Sequence, residues 1–138
     1  MNQYDEDVVT LSDDAGNLID EFAFTPTNRT KLEHSRGRTT DGAATWSLFT
    51  TPTPGAANMG AANDYLDKPT LNPDGGFYGG AQNVTINGPA GATIRYTLDG
   101  TQPTAASPAY AGPIAINATT VLRAGCFNGT DEPSYVET

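Results

Sequence analysis

The chain's one histidine stands in KLEHSRGR, where Glu33, His34 and Ser35 place an acid, a base and a hydroxyl at three consecutive positions. A nucleophilic triad needs those groups to converge, with the base hydrogen-bonded to the nucleophile. Consecutive residues on an extended chain point apart, and no G-x-S-x-G elbow occurs, so His34 reads as a loop histidine. One histidine and one cysteine also fall short of the three or four nitrogen and sulfur ligands of a zinc site. Oxygen ligands are more plentiful. YDEDVV and SDDAGN bring Asp5, Glu6, Asp7, Asp13, Asp14 and Asn17 close in sequence, yet neither follows the D-x-D-x-D-G-x5-E spacing that wraps calcium in one loop. A turn and a solvated acidic end account for both clusters, and no cofactor is expected.

Aromatic residues offer a second chemistry, because the C–H faces of sugar rings stack on exposed aromatic faces. Phe77, Tyr78 and Tyr110 stand in Gly- and Pro-rich loops and are the candidate carbohydrate contacts, with Asp99 as a hydrogen-bonding partner. The structural alternatives are equally concrete: a loop aromatic can cap the edge of a small core, and Asp99 can accept backbone N–H bonds within its own turn. Tyr96 shares the apolar face of IRYTL with Ile94 and Leu98 and belongs to a core. Trp46, between small residues, is expected to fill the core of its own segment. Cys126 shares a face with Leu122 and Ala124 and reads as a small buried apolar residue.

The elements that must position these residues are short strands. Gly 15 and Pro 10 in 138 residues, with only 17% charged, describe an all-β chain rich in turns. VVTLSDDAGNLIDEFAF is a hairpin around Asp13, Asp14, Gly16 and Asn17; residues 25–44 are polar and irregular; ATWSLF is a third strand carrying Trp46 and Leu48. TPTPGAANMGAAND then ends the unit. This gives a first unit at 1–60, a linker at 61–67 and a second unit at 68–138. In the second, KPTLNPDGGFYGG is turn-rich, and QNVTI, ATIRYTL, GPIAIN and TTVLRAGCF are strands. After Asp99-Gly100 the alternation does not resume, as it does across a two-residue hairpin turn. A strand followed by a long crossing segment is how a Greek-key sandwich passes its chain between sheets. The expected core is Val84, Ile86, Ile94, Tyr96, Leu98, Ile114, Leu122, Ala124 and Cys126.

The net charge is −9, with 10 acids against 4 bases in residues 1–64 and 6 against 3 in residues 65–138. Without a basic stripe, nucleic acid is not an expected partner. No apolar run approaches the roughly 20 residues that span a bilayer, so no membrane span is expected. NQYDEDVV lacks the basic start and apolar stretch of a signal peptide, which is expected to have been removed or to lie on a longer parent chain.

Residues 68–138 resemble the immunoglobulin-like module known as the chitobiase/β-hexosaminidase C-terminal domain. The resemblance rests on GGFYGG, the V-x-I of QNVTI, IRYTLDGTQP, SPAYAGPI and the final strand ending in Arg123-Ala124. Residues 7–58 resemble the second half of a bacterial lamin tail domain through DDAGNLIDEFAF, Ser35 to Arg38, Asp41 to Trp46 and TPTPGAAN. The first strands of that domain have no counterpart, so the chain is expected to be a piece of a longer protein or to find substitute partners for them. The resemblances imply two immunoglobulin-like units, the first partial. They imply a non-catalytic accessory or spacer role in a large exported bacterial protein of the cell surface or extracellular space. The partners implied are neighbouring domains of the parent chain and, in the alternative, polysaccharide bound by a carbohydrate-binding module. The apolar face of Leu11, Leu18, Phe22, Phe24, Trp46 and Leu48 must be covered, by the second unit or by another chain, unless the segment stays disordered. Unpaired strand edges favour a weak homodimer through residues 8–50.

Overall fold

The computed structural model describes residues 7–25 and 28–138. The described residues form nine strands and no helix, in two units, Met1–Ala61 and Ala62–Thr138.

In the first unit, β1 (Asp7–Ser12) and β2 (Leu18–Phe24) make an antiparallel hairpin. Asp13 builds its turn: the carboxylate accepts the Asn17 N–H at 2.7 Å, the Asn17 side-chain amide at 2.8 Å and the Ala15 N–H at 3.0 Å, while Gly16 takes a left-handed φ of 84°. A register shift between Leu11 and Ser12 explains the imperfect alternation of the sequence. β3 (Ser35–Arg38) pairs antiparallel with β4 (Trp46–Phe49). Residues 35–38, within the stretch expected to be irregular, are a strand in the structure. They form a strand because β4 supplies the ladder and Asn58 accepts a place beside it, its side-chain amide donating to the Arg38 carbonyl at 2.8 Å. A Cβ on Gly37 would lie 3.3 Å from the Asn58 amide and 3.4 Å from the Phe49 ring, so this crossing favours glycine.

Trp46 is not the core residue expected. Leu48 and Phe49 are buried, whereas Trp46 keeps 37% of its surface and stacks laterally, with its ring 4.2 Å from Phe22 and 5.3 Å from the Arg38 guanidinium. Arg38 in turn pairs with Asp20, whose carboxyl it holds below the usual aspartate value through a hydrogen bond. Val8, Val9, Leu11, Leu18, Ile19 and Phe24 of the hairpin remain exposed.

The second unit is an immunoglobulin-like β-sandwich. One sheet has the order β5 (Thr70–Asn72), β6 (Gln82–Asn87), β8 (Ile114–Ile116), and the other pairs β7 (Thr93–Thr97) with β9 (Arg123–Phe127), all antiparallel. Every connection after β6 crosses between the sheets, including the long one that follows Asp99-Gly100. Before crossing, that connection returns along the free edge of β7, where the Tyr96 N–H donates to the Pro108 carbonyl and the Tyr110 N–H to the Ile94 carbonyl. Val84, Ile86, Ile114, Leu122 and Ala124 form the core, with Leu71, Ile94, Tyr96, Tyr110 and Ile116 packed around it. Cys126 is fully buried. Leu98 is the exception: β7 stops at Thr97, the Asp99 turn begins, and the leucine is 44% exposed. β5 falls in the stretch expected to be turn-rich, and it is short because Pro69 and Pro73 flank only three paired residues.

Two short pairings tie in the ends of this unit. The Leu66 N–H donates to the Glu132 carbonyl at 2.9 Å and the Glu132 N–H to the Asp64 carbonyl at 3.1 Å, with Tyr65 and Glu132 in a parallel bridge. Residues 64–66, read as linker, thus pair within the second unit. Glu137 and Ala124 exchange both backbone bonds at 2.9 Å.

Candidate functional site

The β5–β6 connection spans residues 73–81, with glycine at 75, 76, 79 and 80 around Phe77-Tyr78. Because Gln82 opposes Ile116 in the β6–β8 ladder, the loop entering β6 and the loop leaving β8 emerge at the same end of the sheet. Between them lies a cleft of about 650 Å³. Its floor is the edge of the core, Leu71, Val84, Ile116 and Leu122. Phe77 and Tyr78 stand on one side, and Asn117, Thr119 and Thr120 on the other.

Tyr78 is held in place. Its hydroxyl donates to the Asp74 carbonyl, and its ring atoms lie 3.6 to 3.7 Å from where a Cβ on Gly76 would stand. The ring therefore rests against the glycine backbone and remains 48% exposed. Phe77 is fully exposed.

The other two candidates lie elsewhere. Tyr110 packs against the core. Asp99 accepts the Thr101 N–H at 3.0 Å and the Thr101 hydroxyl at 2.6 Å, and these bonds hold its carboxyl below the usual aspartate value. Asp99 borders a smaller hollow of about 400 Å³ with Tyr96, Leu98 and Pro108. The structure thus brings together Phe77 and Tyr78 and separates them from Tyr110 and Asp99. The polar wall of Gln82, Asn117, Thr119 and Thr120 is not among the residues expected from sequence to form a site. The turn-forming NATT after IAI was its one signal.

The remaining chemistry-bearing residues hold structural positions. Ser35 opens β3, opposite Phe49 in the ladder; Glu33 sits exposed at a φ of 66°, and the His34 N–H closes a turn on the Lys31 carbonyl at 3.1 Å. Burial pushes the Cys126 thiol up, which keeps it protonated and unreactive. Asp13 spends its carboxylate on the hairpin turn. Among the described residues no three His, Cys, Asp or Glu gather as a metal site, and Asp5 and Glu6 lie outside the described residues. No helix among the described residues is long and apolar enough to cross a membrane.

Residues 73–138 match the family model of the Chitobiase/beta-hexosaminidase C-terminal domain. No curated protein and no solved structure matches the chain.

Proposed function

We propose, from the match of residues 73–138 to the chitobiase/beta-hexosaminidase C-terminal domain, that this chain is a non-catalytic accessory spacer of a larger exported bacterial surface protein. It holds or presents neighbouring domains of the parent chain outside the cell. Residues 7–58 act in this reading as the second half of a lamin-tail-like unit, whose closing TPTPGAAN is tied to β3 by the Asn58 amide donating to the Arg38 carbonyl. The observation that carries the spacer role is the anchoring of the second unit at both ends, by Asp64 and Leu66 on Glu132 and by Glu137 on Ala124. A module with fixed ends transmits a fixed position to its neighbours. Hydrogen exchange tests it: the amides of Leu66, Glu132 and Glu137 should be protected to the level of β6, and fast exchange there sinks the spacer reading. Turnover of chromogenic glycosides above background would remove the non-catalytic part.

A second reading, direct carbohydrate contact, is favoured by one observation. Phe77 and Tyr78 are exposed together at a cleft, as a binder requires, whereas a pure spacer gains nothing from apolar rings in water.

A further inference from the structure

The geometry points to a site for a short neutral oligosaccharide in the cleft between the Phe77-Tyr78 loop and residues 117–120, with Tyr78 as its stacking platform. This inference rests on the carbohydrate-contact reading and adds the site and the ligand class.

Three features select such a ligand. The first is the platform. A sugar ring offers C–H bonds of slight positive charge, and the negative face of an aromatic ring attracts them when that face is free and the ring does not turn. Tyr78 meets both conditions, backed by Gly76 on one side and fixed by its hydroxyl bond to the Asp74 carbonyl. The second is the wall. Gln82, Asn117, Thr119 and Thr120 line the cleft with neutral amides and hydroxyls. The Gln82 amide donates to the Gly80 carbonyl and the Thr120 hydroxyl to the Ala118 carbonyl, which leaves Thr120 as an acceptor, while the second Gln82 N–H, Asn117 and Thr119 match the hydroxyls of a sugar. The third is charge. Asp74 carries the only charged side chain among the described residues that line the cleft, and the whole chain stands at −9. Nothing in the lining neutralises a uronate, sulfate or phosphate, and the field of the protein repels them. The volume of about 650 Å³ lies within the roughly 300–1,000 Å³ of small-ligand sites, which suits a few linked sugars better than one.

The test is an amide-resonance titration of the full chain with neutral chito-, cello- and xylo-oligosaccharides and with an acidic oligogalacturonate. A neutral series should give saturable shifts centred on residues 74–80 and 117–121, and the galacturonate should give none at equal concentration. Phe77→Ala removes a fully exposed ring that supports no packing, so it tests binding without a cost in folding. Phe77→Ala and Tyr78→Ala should each weaken binding, Tyr78→Ala by about tenfold, the loss expected for one stacking contact. Unchanged affinity in both variants, or equal binding of the acidic ligand, overturns the proposal. Shifts centred on Asp99 and Tyr110 overturn this site while leaving carbohydrate contact standing. Silence toward every sugar overturns both.

Discussion

Replacing Ile86 with alanine tests the core of the second unit most directly. Ile86 is 3% exposed on the central strand of its sheet and belongs to the cluster with Ile114, Leu122 and Ala124. The substitution removes three carbons, a transfer loss of about 2.4 kcal/mol at ~0.8 kcal/mol per methylene. Both sheets seal the site, so part of the vacated volume stays as cavity and brings the total to about 3–4 kcal/mol. Leu122→Ala removes the same number of carbons at a residue that is 8% exposed and lines the open cleft. Its cavity joins solvent, and the cost should be nearer 2–3 kcal/mol, at the low end of the range of about 2–5. Leu98→Ala, at 44% exposure, should cost less than about 1 kcal/mol. Trp46, the only tryptophan, lies in the first unit, so fluorescence does not follow this core. Urea unfolding should be followed instead through the amide resonances of β6 and β9. Equal losses for Leu98→Ala and Ile86→Ala, or a loss below about 1 kcal/mol at Ile86, would refute the packing described.

Three further outcomes are expected. The hydrogen bond from Arg38 holds the folded-state pKa of Asp20 below the unfolded value of 3.8, so its contribution to the first unit is present above 3.8 and lost as pH falls through the lower folded value. Trp46 fluorescence should report a lower urea midpoint at about pH 3 than at about pH 7, and Asp20→Asn should shrink that difference; an unchanged difference counts against the pair. Gly88→Ala puts a Cβ 2.9 Å from the Cys126 sulfur and 3.2 Å from Ile94, and should destabilise the second unit by about 1–3 kcal/mol, read from its melting temperature. Finally, the exposed apolar residues of the hairpin are proposed to be covered by a second copy, so the full chain should sediment partly as dimer at about 100 μM, where contacts of order 10 μM become visible. A monomer at that concentration removes the idea.

The legible parts of the fold were those where local chemistry and pattern agreed. DDAGN announced its hairpin, and the lost alternation after Asp99-Gly100 announced a chain passing between sheets. β3 escaped because SRGR has no apolar face; only its ladder with β4 and the approach of Asn58 make it a strand. Leu98 continues the alternation of β7, but the turn fixed by Asp99 and Thr101 ends the strand one residue earlier. Trp46 shows a different failure. Periodicity assigns a face, and a lateral stack between Phe22 and Arg38 satisfied the ring without burying it. In the site, Phe77 and Tyr78 were visible as loop aromatics. Their polar counterparts at 117–120 were not, because the juxtaposition depends on Gln82 pairing with Ile116.

The parallel bridge between Tyr65 and Glu132 has a mechanical meaning. When two paired segments run in the same direction, pulling the start of one against the end of the other slides them past each other. The Leu66–Glu132 and Glu132–Asp64 bonds are then strained side by side and must yield together, whereas a chain peeled from an edge gives up its bonds one at a time. Tension from the far end reaches this pair only after the Glu137–Ala124 bonds. A module built in this way resists stretching at its seams before the sandwich itself is loaded.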